Sequence, residues 1–208
     1  MPIAPLGGTR RFDPLRPVPD EELAEVLRRA TRAPSPFNLQ PWRFIVVRHE
    51  RNRRKLQECA YRHPLLAEAP VAVIVLGYHH PHRSHLDAML GCARGAICES
   101  AAAELRARAA RALERSADLA LWAAGSSMLA AGMLIAAADS LGLASVLIDE
   151  FEPEKIRQAF GVPDDHTVCA VIVLGFAAGE PPFLGRFGLA EVCYAEHFGQ
   201  RGTLGEAG

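Results

Sequence analysis

The segment Ala33 to Val47, APSPFNLQPWRFIVV, sets two side-chain amides, Asn38 and Gln40, beside the hydroxyl of Ser35 and the indole of Trp42. Amides offer donors and acceptors together, and a few such groups converging in a mostly apolar cleft suit a planar ligand with a polar edge. The same residues have a plainer use, since an asparagine closes turns and a tryptophan packs. Taken alone, the segment leaves both readings open. Asp149 and Glu150 are a second candidate, as a general acid and base. Neighbours on an extended chain point to opposite sides, however, so this pair is expected to act through its backbone. The third candidate is HHPHRSH, with His79, His80, His82 and His85. Imidazoles bind zinc or nickel, but no cysteine or carboxylate completes a structural spacing, and a solvated loop without metal is expected.

Absent motifs narrow the chemistry. The chain has no GxxxxGK loop, no GxGxxG after a strand, no HExxH and no GxSxG, which argues against nucleotide hydrolases, dinucleotide-fold dehydrogenases and α/β-hydrolases. Lysine plus arginine (23) balance aspartate plus glutamate (24), so no net field favours nucleic acid or an acidic membrane. The five cysteines are scattered with no CxxC, as expected for reduced thiols in the cytoplasm. The start, MPIAPLGGTRRFDP, lacks an apolar signal-peptide core.

The elements that must position these residues are legible from periodicity. A chain of 208 residues, half of them hydrophobic, suits one domain over 1–208. Asp20 to Glu22 favour a helix start, Leu23, Val26, Leu27 and Ala30 follow at helical spacing, and Pro34 ends the element. Arg43 to Val47 reads as a strand and Arg51 to Tyr61 as a polar helix or turn. Val71 to Gly77 and Ala170 to Gly175 are continuous apolar runs, the mark of central strands covered on both faces. Helices are expected over Glu99 to Arg115 and Pro153 to Phe160, a short strand over Ser145 to Ile148, and an extended tail in GRFGLAEVCYAEHFG. The run from Leu119 to Ala138 carries no charge and is long enough to span a bilayer. Its alanines and glycines and its flanking Asp118 and Asp139 favour a buried helix that a partner subunit covers.

At Ala33 to Trp42 the sequence resembles the APSxxNxQPWxF signature of the nitroreductase family of FMN-dependent oxidoreductases, matching at Ser35, Asn38, Gln40, Pro41 and Trp42. TRRFDPLRPVPDEEL, AEAPVAVIVLGY, MLIAAADSLGLASVLIDEFEPEKIRQAFGVP and GRFGLAEV resemble further family blocks in the same order, over nearly the whole chain. The resemblance implies an α+β three-layer sandwich, with a central mixed or antiparallel sheet between helices. It also implies an intertwined homodimer with one FMN per subunit at the interface, both chains contributing. NADH or NADPH would deliver hydride to the flavin, leave, and be replaced by a nitroaromatic, a quinone or an enal, in a ping-pong sequence. The cofactor carries that chemistry, so no side-chain nucleophile is expected. The second reading is a flavin-binding or flavin-storing protein of the same fold with little turnover.

Residue by residue, the resemblance puts Ser35, Pro36, Asn38 and Gln40 on the flavin edge and the backbone of Asp149 and Glu150 near its N5 and O4. Glu150 stands where the family commonly has glycine. Arg62 is a candidate for the pyrimidine side. Aligned on Phe12, the family's RxSxR phosphate grip falls on Leu6, Gly8 and Arg10, so only Arg10 survives, with Arg11 as a substitute and Arg186 as the C-terminal phosphate arginine. A lost charge-assisted contact costs about 1.5–3 kcal/mol. The histidine stretch is expected to shape access to the cleft and to titrate near neutrality.

Overall fold

The two continuous apolar runs become the middle of a four-stranded sheet. In the computed structural model, which describes residues 11–92, 98–179 and 185–200, the strands are β1 (Trp42–Val47), β2 (Val71–Tyr78), β3 (Ala144–Ile148) and β4 (His166–Gly175). Their order is β1-β2-β4-β3, and every neighbouring pair is antiparallel. Ile74 faces Ile45 on one side and Val171 on the other, and Val171 faces Ile148. β4 begins four residues before the apolar run, because His166, Thr167 and Val168 pair with Tyr78, Gly77 and Leu76. The register shifts beyond Val75 and leaves Cys169 as the extra residue of a bulge.

Helices cover both faces. On one side α2 (Glu50–Cys59), α3 (Leu65–Glu68) and α8 (Pro153–Phe160) bring Leu56, Leu66 and Ile156 onto Ile74, Val171 and Val173. On the other, α1 (Asp20–Ala30) and α7 (Leu119–Ser140) bring Val26, Leu134 and Ala138 onto Val73, Val75 and Ile172. Alternate residues of β2 and β4 thus feed two cores, which is why their sequences are apolar throughout. α4 (Pro81–Ser84), α5 (Leu86–Cys92) and α6 (Glu99–Glu114) form a smaller cluster, in which Leu86, Ala109 and Leu113 pack around Leu39.

α7 starts at Asp118, whose carboxylate accepts the Leu121 N–H at 2.9 Å, an N-cap interaction. It is long and apolar enough to cross a membrane by length and composition, yet its small inner face seats directly on the sheet. The other face is bare: Leu121, Met128, Leu129 and Met133 are exposed. The tail also departs from the expected extended form. Leu189–Val192 is a turn of helix, α9, in keeping with the helix-forming Leu, Ala and Glu there.

Gly77 fixes how closely α7 approaches the sheet. A Cβ at this position would lie 2.9 Å from the Ala123 backbone carbon and 3.1 Å from the Ala124 nitrogen. Backbone cannot yield as a side-chain end can, so Gly77→Ala is expected to destabilise the fold by about 1–3 kcal/mol. Urea unfolding measures this; an unchanged midpoint would show that the helix seats more loosely.

Candidate functional site

The loop between α1 and β1 is held in an unusual shape by its own hydrogen bonds. Phe37, Asn38 and Gln40 all have positive φ, at 55°, 53° and 48°, a region that L-residues rarely occupy and that costs of order 1–3 kcal/mol each. A 3-10 turn at Pro36–Asn38 places the Asn38 N–H on the Ser35 carbonyl at 2.9 Å. The Gln40 N–H donates to Ser35 Oγ at 3.0 Å and Gln40 Nε2 to the Asn38 carbonyl at 3.3 Å. Ser35 and Gln40 therefore use their side chains to lock the turn. Pro36 and the Asn38 amide are left exposed. Strain held by a local lock is a mark of functional sites.

Beside this loop lies an open groove of about 550 Å³, lined by Leu27, Leu39, Trp42 and Phe44 with Asn38, Gln40, Arg43 and His85. The volume falls in the usual range for small-molecule sites, as does the mixture of apolar wall and sparse polar groups. Sequence reasoning gave Arg43 no role there, while His85 belongs to the stretch expected to shape access to the cleft, and it does line the groove. Arg43 had one signal, its place immediately after QPW at the start of an edge strand. His85, between α4 and α5, is the member of the histidine stretch that reaches the groove.

The other candidates lie elsewhere. Asp149 and Glu150 follow β3 and are exposed, at the same end of the strands as the loop but at the opposite edge of the sheet. The Glu152 N–H donates to the Cys59 carbonyl at 2.8 Å, tying this turn to the end of α2. Arg62 follows there at φ 57°, next to Tyr61 at 47°. Arg11 is at the other end of the strands, where Phe12 bridges Ala177, and its Nε meets Glu68 at 2.8 Å. Arg186 is exposed in the tail and donates to the Gly185 carbonyl at 2.8 Å. Arg10 lies outside the described residues. One chain thus gathers Ser35, Pro36, Asn38 and Gln40 in one place, and Arg62, Asp149 and Glu150 in another.

A family model, the nitroreductase family, matches residues 8–176. The chain belongs to the nitroreductase family. A Thermus thermophilus protein named NADH dehydrogenase is 35% identical over 164 residues, covering 79% of this chain and 80% of its own. A nitroreductase-like protein of Streptococcus mutans superposes with a TM-score of 0.85 at 22% identity, covering 94% and 96% of the two chains. A protein of Exiguobacterium sibiricum, solved in complex with FMN, superposes at 0.79 with 20% identity over 92% and 93%. The helix–sheet–helix sandwich is therefore the nitroreductase fold, and the family and the named relative place the chain among oxidoreductases.

In this nitroreductase-family chain the histidine stretch is half buried, not a solvated loop. β2 carries it to the sheet end and the short α4 folds it back onto Tyr78. His79 Nε2 lies 2.8 Å from Thr167 Oγ1, and the His166 ring, 2.7 Å from Asp165 Oδ1, stacks on Tyr78 at 4.9 Å. These contacts depend on the β2–β4 register, which leaves no local trace in sequence. Among the described residues no three His, Cys, Asp or Glu side chains are grouped to hold a metal ion.

Burial lowers the pKa of His79, helped by His80, and those of His82 and His85, helped by Arg83 and Arg43 respectively. Above the unfolded imidazole value of about 6.5 all three are neutral in both states. Below it the unfolded chain binds protons that the folded chain resists, so stability falls as pH drops toward the folded values. Melting temperature is expected to decrease between pH 7.5 and pH 5.5, and the double substitution His79→Gln, His82→Gln to flatten that decline. An equally steep decline in the double variant would move the titration to other groups.

Proposed function

We propose that this chain is an FMN-dependent oxidoreductase, working as a cytoplasmic homodimer with NADH or NADPH as hydride donor. Its acceptor is a small electron-poor molecule such as a nitroaromatic, a quinone or an enal. The observation that carries the reading is the locked loop: Ser35 and Gln40 hold it from within, while the Asn38 amide faces outward at the rim of a largely apolar groove. That is the donor set for the pyrimidine edge of a planar ring. FMN held there would supply hydride transfer between the nicotinamide and the acceptor.

The residues of the chain bind and orient. Asn38 meets the ring edge, and Leu39, Trp42 and Phe44 exclude water from the groove beside it. The main chain at Asp149 and Glu150, both exposed residues, with Arg62, serves the opposite side. β1 and β3 are separated by three strand spacings, about 14 Å, so loop and turn are best brought to one ring by two copies. With Arg11 paired to Glu68, the phosphate falls to Arg10 and Arg186. The second copy has an apolar surface to meet: Leu121, Met128, Leu129 and Met133 on α7, and Phe187, Leu189 and Val192 in the tail. An exposed apolar surface of this kind is a mark of association. No thiol is asked to act, and burial pushes Cys169 up to about 12.

The purified protein is expected to be yellow, to bleach with NADH or NADPH under anaerobic conditions, and to regain colour with menadione or a nitrofuran. Flavin that stays oxidised would favour the storage reading. Asn38→Ala is expected to weaken FMN roughly two- to tenfold, the effect of one neutral hydrogen bond. Leu129→Lys with Met133→Lys should give a monomer that loses FMN, read by sedimentation and absorbance. A monomer that keeps its flavin would place the whole site in one chain.

A further inference from the structure

The groove beside the loop holds a cation that is fixed in place and has no counter-ion among the described residues. Arg43 donates through Nη1 to the Trp42 carbonyl at 2.6 Å and to the Gln40 carbonyl at 3.3 Å. Its Nη2 lies 2.7 Å from His85 Nε2, and its guanidinium carbon is 5.7 Å from the centre of the Tyr78 ring. These neighbours orient the guanidinium, and none of the contacts is with a carboxylate. Arg11, Arg29, Arg48, Arg106 and Arg157, by contrast, each meet one. Arg43 is also only partly exposed, in a wall whose other members include Leu27, Trp42 and Phe44.

A half-buried charge without a partner is unfavourable until an anion joins it. The planar fork of an arginine is matched to a carboxylate, which it holds through parallel charge-assisted bonds. The flanking wall is aromatic and aliphatic, which suits a flat apolar body attached to that carboxylate. We propose that Arg43 receives the carboxylate of an acceptor substrate, an aromatic or α,β-unsaturated acid whose body lies along Trp42 and Phe44. That such an acid is also reduced rests on the oxidoreductase reading above; that it binds does not. The same fork would suit the phosphate of a flavin nucleotide, so the experiment separates the two anions.

The flavin-loaded protein is titrated by calorimetry with 4-nitrobenzoate and with 4-nitrobenzamide, which share the ring and the nitro group and differ in charge. The wild-type chain is expected to prefer the benzoate by about tenfold to hundredfold, the scale of a charge-assisted bond. Arg43→Gln should abolish the preference, and Arg43→Lys, which keeps the charge without the fork, should restore part of it. The ratio of kcat/KM for the two compounds should follow the same order.

Equal wild-type affinities would overturn the proposal, and that test needs no variant to fold. A preference that survives Arg43→Gln would also overturn it. So would an Arg43→Gln protein that binds FMN less well but riboflavin unchanged and keeps the benzoate preference, because the fork would then serve the phosphate. Charge-selective binding without turnover would sustain the anion site and defeat the oxidoreductase reading. Turnover without charge preference would do the reverse.

Discussion

The pairing of β2 with β4 is the constraint on which the rest of the molecule depends. Both strands are buried on both faces, so each residue of either one is committed to a particular core. A slip of one position would send every side chain to the wrong layer. With that register set, four chain segments meet at one end of the sheet: the loop before β1, the histidines after β2, the turn after β3 and the Asp165–His166 pair at the start of β4. Loops carry the chemistry, and the doubly covered sheet keeps them in place.

Much of this was legible in the chain. VAVIVLG and AVIVLG read as central strands because nothing polar interrupts them, and Pro153 to Phe160 forms a helix with the bounds its pattern indicates. The charge-free run became the central helix α7. What the sequence could not show was relational. A uniformly apolar helix does not reveal which face meets the sheet, and Leu129 and Met133 look no different from Leu134 until the packing is known. The histidines read as solvated because their partners, Thr167 and the Tyr78 ring packed against His166, are set by pairing between distant segments. In the tail, helix-forming residues outweighed an expectation of extended chain drawn from glycines and prolines.

At the candidate site the division was similar. The residue types of the loop were visible, but their division of labour was not: Ser35 closes the turn by accepting the Gln40 N–H, and Asn38 is the amide left to face outward. The positive φ angles at Phe37 and Gln40 have no signature in composition, because glycine, the usual occupant of such positions, is absent from the loop; only Asn38 is of a type that visits this region readily. Arg11 illustrates the opposite case. Its charge was evident from the sequence, and only the fold shows Glu68 already answering it.

The bare α-carbon at Gly77 has a mechanical corollary. With the Ala123 backbone pressed against it, helix and strand meet without any compressible layer, and neither can slide along the other unless they first separate. The outer stripe of α7 and the far rim of β2 then belong to one rigid piece. Whatever docks on that helix is registered against the sheet end directly, so the dimensions of a cleft shared between copies would be set by main chain and hardly at all by the softness of side chains.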